Sequence, residues 1–304
     1  MRAILLRRLA TALPTLLLII LASFVLMRTA PGSPFDAERP LDAAVRARLD
    51  AAYGLDRPLA EQAWRYLSGL ARGDFGPSLV YQDFRVSDLI AQGLPVSLTL
   101  GALALLLAAA LGIAAGSVAA LSPGSLRDRA IMGAATLLTA IPAFVTGPVL
   151  ALVFALWLGW LPVSGLDARG SLVLPVVALA LPVAGAVARL LRAGLATVMA
   201  QDHIRAARAR GLSETTLLRR HALRPALIPV VSYLGPAAAG LLTGAVVVET
   251  VFALPGLGRY FVQGALNRDY PLVLGVVILY AALILAFNLL ADLLYGWLDP
   301  RVRA

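Results

Sequence analysis

Six stretches of this chain carry no charged residue over about 20 positions, and they constrain its fold more than any other feature. Crossing the hydrocarbon layer of a bilayer takes about 20 predominantly apolar residues in a helix. Apolar residues make up 60% of the chain and charged residues 14%, which excludes a soluble domain with a polar surface. The predicted membrane spans are Leu9–Met27, Gly93–Leu121, Ala130–Leu158, Ser171 to about Ala188, Ala226–Val248 and Tyr270–Ala291. We therefore predict an all-α polytopic membrane protein with six transmembrane helices.

The third span is expected to be kinked or broken, because Pro142 and Pro148 lie inside it. Membrane helices tolerate such breaks where neighbouring helices satisfy the freed backbone groups. The apolar run continues to Leu166 and could be split into two crossings. A seventh crossing would move the basic segment Arg205–Arg224 to the opposite face of the membrane, so the sequence favours six spans.

Arginines in the short loops cluster on one face of the predicted bundle. They are Arg2, Arg7 and Arg8 before the first span, Arg127 and Arg129 between the second and third, the basic segment after the fourth, and Arg301 and Arg303 at the end. Cytoplasmic loops carry an excess of positive charge, so this face is predicted to be cytosolic, with both termini inside.

The N-terminus has a second interpretation, because arginines followed by an apolar run also describe a secretory signal peptide. The apolar run is longer than a typical signal core, and Arg28–Pro31 is a poor cleavage site for a signal peptidase. A retained first span is the favoured interpretation.

The loop of about residues 31–92 is the only soluble-like portion, and we expect it on the external face. Apolar residues recur every four positions in two groups, which predicts two amphipathic helices joined by a turn at Gly54–Pro58. The groups are Leu41, Val45, Leu49 and Tyr53, then Leu59, Ala63, Leu67 and Ala71. This loop either caps the bundle or meets an external partner. We predict a single membrane domain over residues 1–304.

Composition excludes several kinds of chemistry. All 26 basic residues are arginine, so the chain has no lysine for a phosphate-binding P-loop, and any ATP must be hydrolysed by a different polypeptide. No cysteine and only two histidines are present, which gives no basis for a metal site. No nucleophile and base form a recognisable catalytic motif, so no catalytic residue and no enzyme activity are predicted. The net charge is +9, and the basic residues lie next to apolar spans. We therefore expect them to contact anionic lipid head groups rather than nucleic acid.

Ionisable residues are absent from the centres of the spans, which argues against an ion-coupled carrier. The candidates near span ends are Arg189, Arg192, Glu249 and Asp292, for which snorkelling or pairing is expected. The polar residues Thr139, Thr146 and Asn288 are expected to bond neighbouring helices.

The loop of about residues 199–225, between the fourth and fifth spans, is both basic and helix-prone. Asp202 is predicted to cap a short helix that contains Ala206 and Ala207, small residues that let another surface approach closely. Gly211 is predicted to end this helix in a conformation that other residues resist.

A second helix is predicted after the turn, with Ser213 as its cap and Glu214 in its first turn. A lipid-facing amphipathic hairpin would explain the charge but not the alanine pair or the glycine break, so docking to a partner is favoured. The candidate docking residues are Asp202, Arg205, Ala206, Ala207, Arg208, Arg210, Gly211, Leu212, Ser213 and Glu214.

The segment Arg205–Ala207, followed by Gly211 and later by Leu223 and Pro225, resembles the EAA loop of ATP-binding cassette (ABC) importer permeases. The resemblance is closest to the peptide branch, the DppB/OppB type, and extends over the whole chain. The segments that carry it are Arg208–Ser213, Arg220–Arg224, Ala226–Pro229, Arg28–Gly32, Gly73–Gly76, Val248–Phe252, Pro255–Arg259, Asn267–Pro271 and Asp299–Arg301. Arg205 replaces the acidic residue that names the loop, so no salt bridge of that glutamate is carried over.

The resemblance implies a half-channel in the bacterial cytoplasmic membrane. Its implied partners are a second, similar permease, two cytosolic ATPase subunits that hold ATP and Mg, and an external substrate-binding protein. The residues between Asp202 and Arg224 would form the coupling helix. Peptides are the implied cargo. Nickel, glutathione or another small solute is the alternative with the same architecture, and an ion-coupled secondary carrier is the third hypothesis.

Overall fold

A computed structural model describes residues 2–29, 44, 48, 51, 54, 56–81 and 83–298, and every extended regular element among them is helical. The α-helices are Arg2–Thr29 (α1), Leu59–Leu70 (α2), Val86–Leu121 (α3), Leu126–Ala140 (α4), Ala143–Leu150 (α5), Val173–Met199 (α6), Asp202–Ala209 (α7), Glu214–Thr216 (α8), Leu223–Ala226 (α9), Ile228–Val251 (α10), Leu257–Leu266 (α11) and Tyr270–Leu298 (α12). Two π-helical stretches, Ala151–Trp157 and Leu217–Ala222, extend α5 and join α8 to α9.

The described residues include five helices that are long and apolar enough to cross a membrane. The pair Leu126–Ala140 and Ala143–Trp157 is bent by 103° and makes a sixth when it is counted as one span. The all-α polytopic fold is therefore confirmed. The fourth span is longer than predicted: α6 continues past Ala188 to Met199, and Arg189 and Arg192 lie in this extension.

The bend in the third span lies at Pro142, one of the two prolines that predicted it. Proline has no backbone N–H to donate to the carbonyl four residues earlier, so it cannot continue the α-helical ladder. The residue before it is also driven out of the helical region, and Ile141 has φ −90° and ψ 118°. Pro148 lies inside α5, shortly before the π-helical stretch begins.

The described chain divides into two compact units. The first consists of residues up to Arg8, Ser97–Leu254 and the residues from Leu283 onward. Its helices pack closely at glycines: a Cβ at Gly112 would lie 2.6 Å from Val187, and one at Gly185 would lie 2.5 Å from the Ala135 carbonyl oxygen. Small residues at such contacts let helix backbones approach, which is the usual source of tight packing in membranes.

The second unit consists of Leu9–Val96 and Pro255–Ala282. Its α2 helix begins directly after Pro58, as the second amphipathic group predicted. Asp269 is fully buried in this unit and accepts hydrogen bonds from the Ser78 hydroxyl and, at 3.3 Å, from the Leu272 backbone N–H. This carboxylate therefore joins the segment around Ser78 to the first turn of α12.

Several predicted features lie outside the described residues. They are the amphipathic group Leu41, Val45, Leu49 and Tyr53, the Pro31–Gly32 end of the motif after the first span, the motif Asp299–Arg301, and the terminal arginines Arg301 and Arg303. The single domain over residues 1–304 stays a prediction.

The glycine packing gives a first testable prediction. Gly185→Ala should lower the thermal unfolding midpoint of the purified protein in detergent. Its new methyl group would press on the Ala135 carbonyl and on Thr139, at a cost of about 1–3 kcal/mol. Gly133→Ala is the matched control, because a Cβ there meets nothing within 4 Å. The packing argument fails if the two variants unfold at the same temperature.

Candidate functional site

The 199–225 loop is fixed to the first unit by a buried apolar cluster. Ile204 is fully buried and Ala207 is 7% exposed, and both pack with Leu195 and Val198 of α6. The segment beyond the turn contributes further buried members, namely Leu217, Leu218, Ala222 and Ala226. Because one face of α7 is held in this core, its opposite face is presented in a defined orientation.

Asp202 does not cap α7, so that prediction is wrong. The helix begins with Asp202 itself, and Gln201 occupies the capping position without a side-chain bond. The Asp202 carboxylate instead lies 3.3 Å from the Arg205 guanidinium, three residues later on the helix. An acidic group in the first turn still complements the positive end of the helix dipole.

Gly211 ends α7 as predicted, with φ +85°. Its N–H donates to the Arg208 carbonyl at 2.9 Å, and the Leu212 N–H donates to the Ala207 carbonyl at 3.4 Å. These two bonds form a Schellman motif, the arrangement in which a left-handed residue satisfies the last carbonyls of a helix. Leu212 is half-buried and packs on the same apolar cluster. The end of the helix is thus specified by both backbone and side-chain contacts.

Ser213 caps the next segment as predicted, since its hydroxyl accepts from the Thr216 N–H at 3.4 Å. Glu214 lies in the first turn and reaches back across the turn to Arg208. The guanidinium Nε and Nη2 donate to the two carboxylate oxygens at 2.5 and 3.0 Å. Two parallel bonds of this kind fix orientation better than a single ion pair does. The pair therefore links the two sides of the glycine turn.

This contact shifts the pKa of both partners. The hydrogen bond from Arg208 lowers the pKa of Glu214, and the hydrogen bond to Glu214 raises the pKa of Arg208. Because the carboxylate pKa is lowered in the folded loop, the pair stabilises the loop fully above the ordinary glutamate pKa of about 4.3. That stabilisation is lost as the pH falls through the lowered value.

The second predicted helix is not a regular α-helix. Only Glu214–Thr216 is α-helical, and Leu217–Ala222 follows in π-helical form. Pro225 has no N–H for the carbonyl of His221, four residues earlier, which prevents a continuous α-helical ladder through this segment. The prediction missed this effect because it rested on Ser213 and Glu214, which mark only the start of a helix.

The predicted docking residues divide into two groups by exposure. Two are turned inward, Ala207 in the buried cluster and Leu212 half-buried against it. The exposed residues are Asp202, Arg205, Ala206, Arg208, Arg210, Gly211, Ser213 and Glu214. Of the alanine pair, only Ala206 is available to a partner, so the expectation that both alanines face outward is wrong for Ala207.

Four ionisable residues near the span ends were expected to pair or to snorkel. Three of them, Arg192, Asp292 and Glu249, have partners. Arg192 donates to both carboxylate oxygens of Asp128 at 3.2 and 2.7 Å, and Arg8 lies 2.7 Å from Asp292. Glu249 accepts from the Ser97 hydroxyl at 2.6 Å.

The structure also shows two features that the sequence analysis did not identify. The first is the set of hydrogen bonds at Asp128. Besides the two bonds from Arg192, its carboxylate accepts from the Gly124 N–H at 2.9 Å, and its backbone N–H donates to the Ser125 hydroxyl. The Ser125–Asp128 spacing is a helix-capping signal that could have been recognised. Ser97 and Glu249 are both fully buried and 152 positions apart, and no local pattern connects them.

The threonines of the third span do not bond neighbouring helices, so that expectation is wrong. The Thr139 hydroxyl donates to the Thr136 carbonyl at 2.8 Å, and the Thr146 hydroxyl donates to the Pro142 carbonyl at 3.2 Å. Both acceptors belong to the same bent pair. Asn288, the third polar residue of this prediction, lines a cavity together with Arg8 and Asp292.

Solved transporters share this fold. A chain of the inward-facing MetNI methionine ABC transporter matches with a TM-score of 0.59 at 18% identity, covering 69% of this chain and 96% of that one. A chain of an amino acid ABC transporter matches with a TM-score of 0.54 at 20% identity, covering 69% and 94%. This chain is therefore a polytopic α-helical protein that shares its fold with chains of ABC transporters.

The sequence identifies the family. Residues 112–304 match the binding-protein-dependent transport system inner membrane component family. The chain is 47% identical over 299 residues to the oligopeptide transport system permease protein OppB of Haemophilus influenzae, with 98% of each chain covered. It is 41% identical over 289 residues to the dipeptide transport system permease protein DppB of Bacillus subtilis, covering 95% and 94%. The chain belongs to this family of inner-membrane transport components and is a multi-pass permease subunit of an ABC importer.

The Arg208–Glu214 contact gives a second testable prediction. Arg208→Gln should raise the pKa of Glu214 toward the ordinary glutamate value, because it removes the charged donor. The measurement is a ¹³C NMR titration of the full chain labelled at glutamate, which has only Glu38, Glu61, Glu214 and Glu249. Glu61 is the internal control, because the hydrogen bond that lowers its pKa comes from Arg57, which the substitution leaves in place. An unchanged Glu214 titration would contradict the contact.

Proposed function

We propose that this chain forms half of the translocation path of an ATP-driven importer of oligopeptides or dipeptides. The high identity to OppB and DppB over nearly the full length supports this cargo. ATP is bound and hydrolysed, with Mg, on two separate cytosolic ATPase subunits. A second, similar permease completes the path, and an external binding protein delivers the substrate. The chain itself performs no catalysis.

We propose further that the 199–225 loop is the site at which the ATPase subunits act, in the manner of an EAA loop. The observation that carries this proposal is the form of α7, which is exposed on one face and fixed on the other by Ile204 and the Schellman motif at Gly211. A loop that transmits a displacement must be stiff and must be joined to the spans. The apolar cluster joins α7 to α6, whose C-terminal turns supply Leu195 and Val198.

Energy can pass through this contact only if it differs between the states of the transporter. A partner that binds every conformation equally shifts no equilibrium. Arg205 of α7 and Arg210, the residue that follows the helix, are exposed and offer a basic surface. An acidic or hydrogen-bonding partner surface would complement it. We infer that closure of the ATPase subunits moves α7 and, through the cluster, the end of α6.

The glycine turn supplies the test of this function. Gly211→Val should leave ATP hydrolysis by the reconstituted complex in place and reduce the peptide transported per ATP. A β-branched residue at φ +85° is strained and would displace the helix end. Gly73→Val is the matched control, with φ +76° and nothing within 4 Å of its Cβ position, as at Gly211. Peptide transport per ATP equal to that of the wild type in the Gly211→Val variant would contradict the proposal.

The orientation has its own test, which uses the absence of cysteine from the chain. His203→Cys in α7 should react with a membrane-impermeant maleimide only after spheroplasts are permeabilised. Trp64→Cys in α2 should react in intact spheroplasts, because Trp64 is 72% exposed and lies in the predicted external loop. The reverse labelling pattern would place the loop outside the cell and exclude an ATPase contact.

A further inference from the structure

A cavity of about 440 Å³ lies within the first unit, around the break in the third span. Three parts of the unit surround it: the bent pair at Thr139–Ala143, α6 at Leu179–Val183, and α10 at Tyr233–Gly244. Each of these parts contains a proline that lines the cavity, namely Pro142, Pro182 and Pro236. The cavity thus lies where the break in the third span faces two continuous helices, α6 and α10, that each contain a proline.

The position of these prolines places the cavity near the middle of the membrane. At about 1.5 Å per residue, Pro182 lies about 14 Å from the start of α6 and Pro236 about 12 Å from the start of α10. The hydrocarbon core is about 30 Å thick, so both prolines fall near its centre if the helices cross it squarely. Irregular backbone at this depth is tolerated where it is buried in protein or lines a water-filled space.

The walls of the cavity are uncharged, and one polar group in them is unused. Among its described lining residues there is no aspartate, glutamate, lysine, arginine or histidine. The Thr139 hydroxyl is occupied by the carbonyls of its own helix. The Tyr233 hydroxyl has no hydrogen-bond partner among the described residues. Tyr233 is partly exposed, so its unbonded hydroxyl can be reached by a ligand.

Gly240 leaves one wall of the cavity open. It is exposed, and a Cβ at this position would meet nothing within 4 Å. A larger residue there would enter free space without displacing a neighbouring helix. The position therefore offers a way to fill the cavity without straining the fold.

We propose that this cavity is a contact site for the transported peptide, with the Tyr233 hydroxyl bonding a peptide group. The proposal rests on the proposed function. A volume in the range of about 300–1,000 Å³, apolar walls and few polar groups are typical of ligand sites. A tyrosine hydroxyl both donates and accepts, as a peptide group does, so it can bond any sequence. The lining residues carry no fixed charge, so the walls themselves neither trap nor repel charged peptide side chains. The charge of Arg189 on α6 acts on Tyr233 and would favour an acceptor, such as a peptide carbonyl, beside the hydroxyl.

The cavity is tested by filling it in the intact complex. The permease is reconstituted in proteoliposomes with its second permease, ATPase subunits and binding protein, and uptake of radiolabelled tri-alanine is measured. Gly240→Leu should abolish uptake while subunit ratios and ATP hydrolysis persist. Gly133→Leu is the matched control, because this helical glycine also meets nothing within 4 Å and does not line the cavity.

The Tyr233 hydroxyl is tested by its removal. Tyr233→Phe should lower tri-alanine uptake per ATP by about 2- to 12-fold, the range expected for one lost hydrogen bond. Thr243→Val is the control on the same helix, because it removes a hydroxyl that bonds only to its own backbone, at the Ala239 and Gly240 carbonyls. Uptake per ATP should be unchanged in this control. Equal uptake by wild type and Tyr233→Phe would remove the assigned role of the hydroxyl.

A third variant covers the case in which Gly240→Leu fails to assemble. Gly240→Cys introduces the only thiol of the chain, and tri-alanine should slow its labelling by a maleimide during turnover. Labelling of Gly133→Cys should proceed at the same rate with and without tri-alanine. Normal uptake by Gly240→Leu, or labelling that tri-alanine does not slow, overturns the proposal.

Two further outcomes overturn it in distinguishable ways. Selective loss of the second permease from the Gly240→Leu complex would show that a neighbouring subunit fills the cavity. Absence of tri-alanine uptake by the wild-type complex would contradict the proposed function itself.

Discussion

The need to satisfy every backbone N–H and C=O group inside the hydrocarbon layer governs this structure. Helices meet that need within a single segment, which is why the apolar stretches of this chain are helical. Each interruption then stands out as a local exception. The 103° bend at Pro142 is such an exception, and the cavity beside it is lined by prolines of two more helices. The break in the third span and the cavity thus occur together.

The apolar cluster beneath α7 joins a membrane span to the 199–225 loop. It contains Leu195 of α6, Ile204 of α7 and Leu217 of the π-helical stretch, all fully buried. Close packing makes such a cluster poorly compressible, so its members move together rather than independently. The short polar loop is in this sense part of the membrane bundle. A displacement applied at its exposed face would reach the spans without a flexible linker.

Sequence reasoning succeeded where a feature depends on neighbouring residues. The apolar stretches gave the spans, Pro142 gave the break, and Gly211 gave the end of α7, since each effect comes from the covalent structure of one residue or from a local run. The prediction that Asp202 caps α7 was wrong by one residue, since Gln201 occupies that position, and helix ends are the least certain part of a prediction from local sequence. The inward position of Ala207 also depends on the cluster, whose members come from separate segments.

Other features could not be predicted, because they join distant positions. The Ser97–Glu249 bond and the Asp128–Arg192 pair depend on how helices meet, and a single sequence contains no record of that. The cavity is a further case. It is defined by the absence of side-chain volume among several helices, and its Tyr233 hydroxyl became informative only once its surroundings were known to offer no partner.

The order already present in the 199–225 loop has a thermodynamic consequence. The Schellman motif at Gly211 and the paired bonds between Arg208 and Glu214 hold the exposed face of α7 in one arrangement before any neighbour arrives. Association of a pre-ordered surface loses less conformational entropy than association of a loop that must fold at the same moment. If the proposed ATPase contact is made on this face, more of its intrinsic binding free energy remains for mechanical work on this chain.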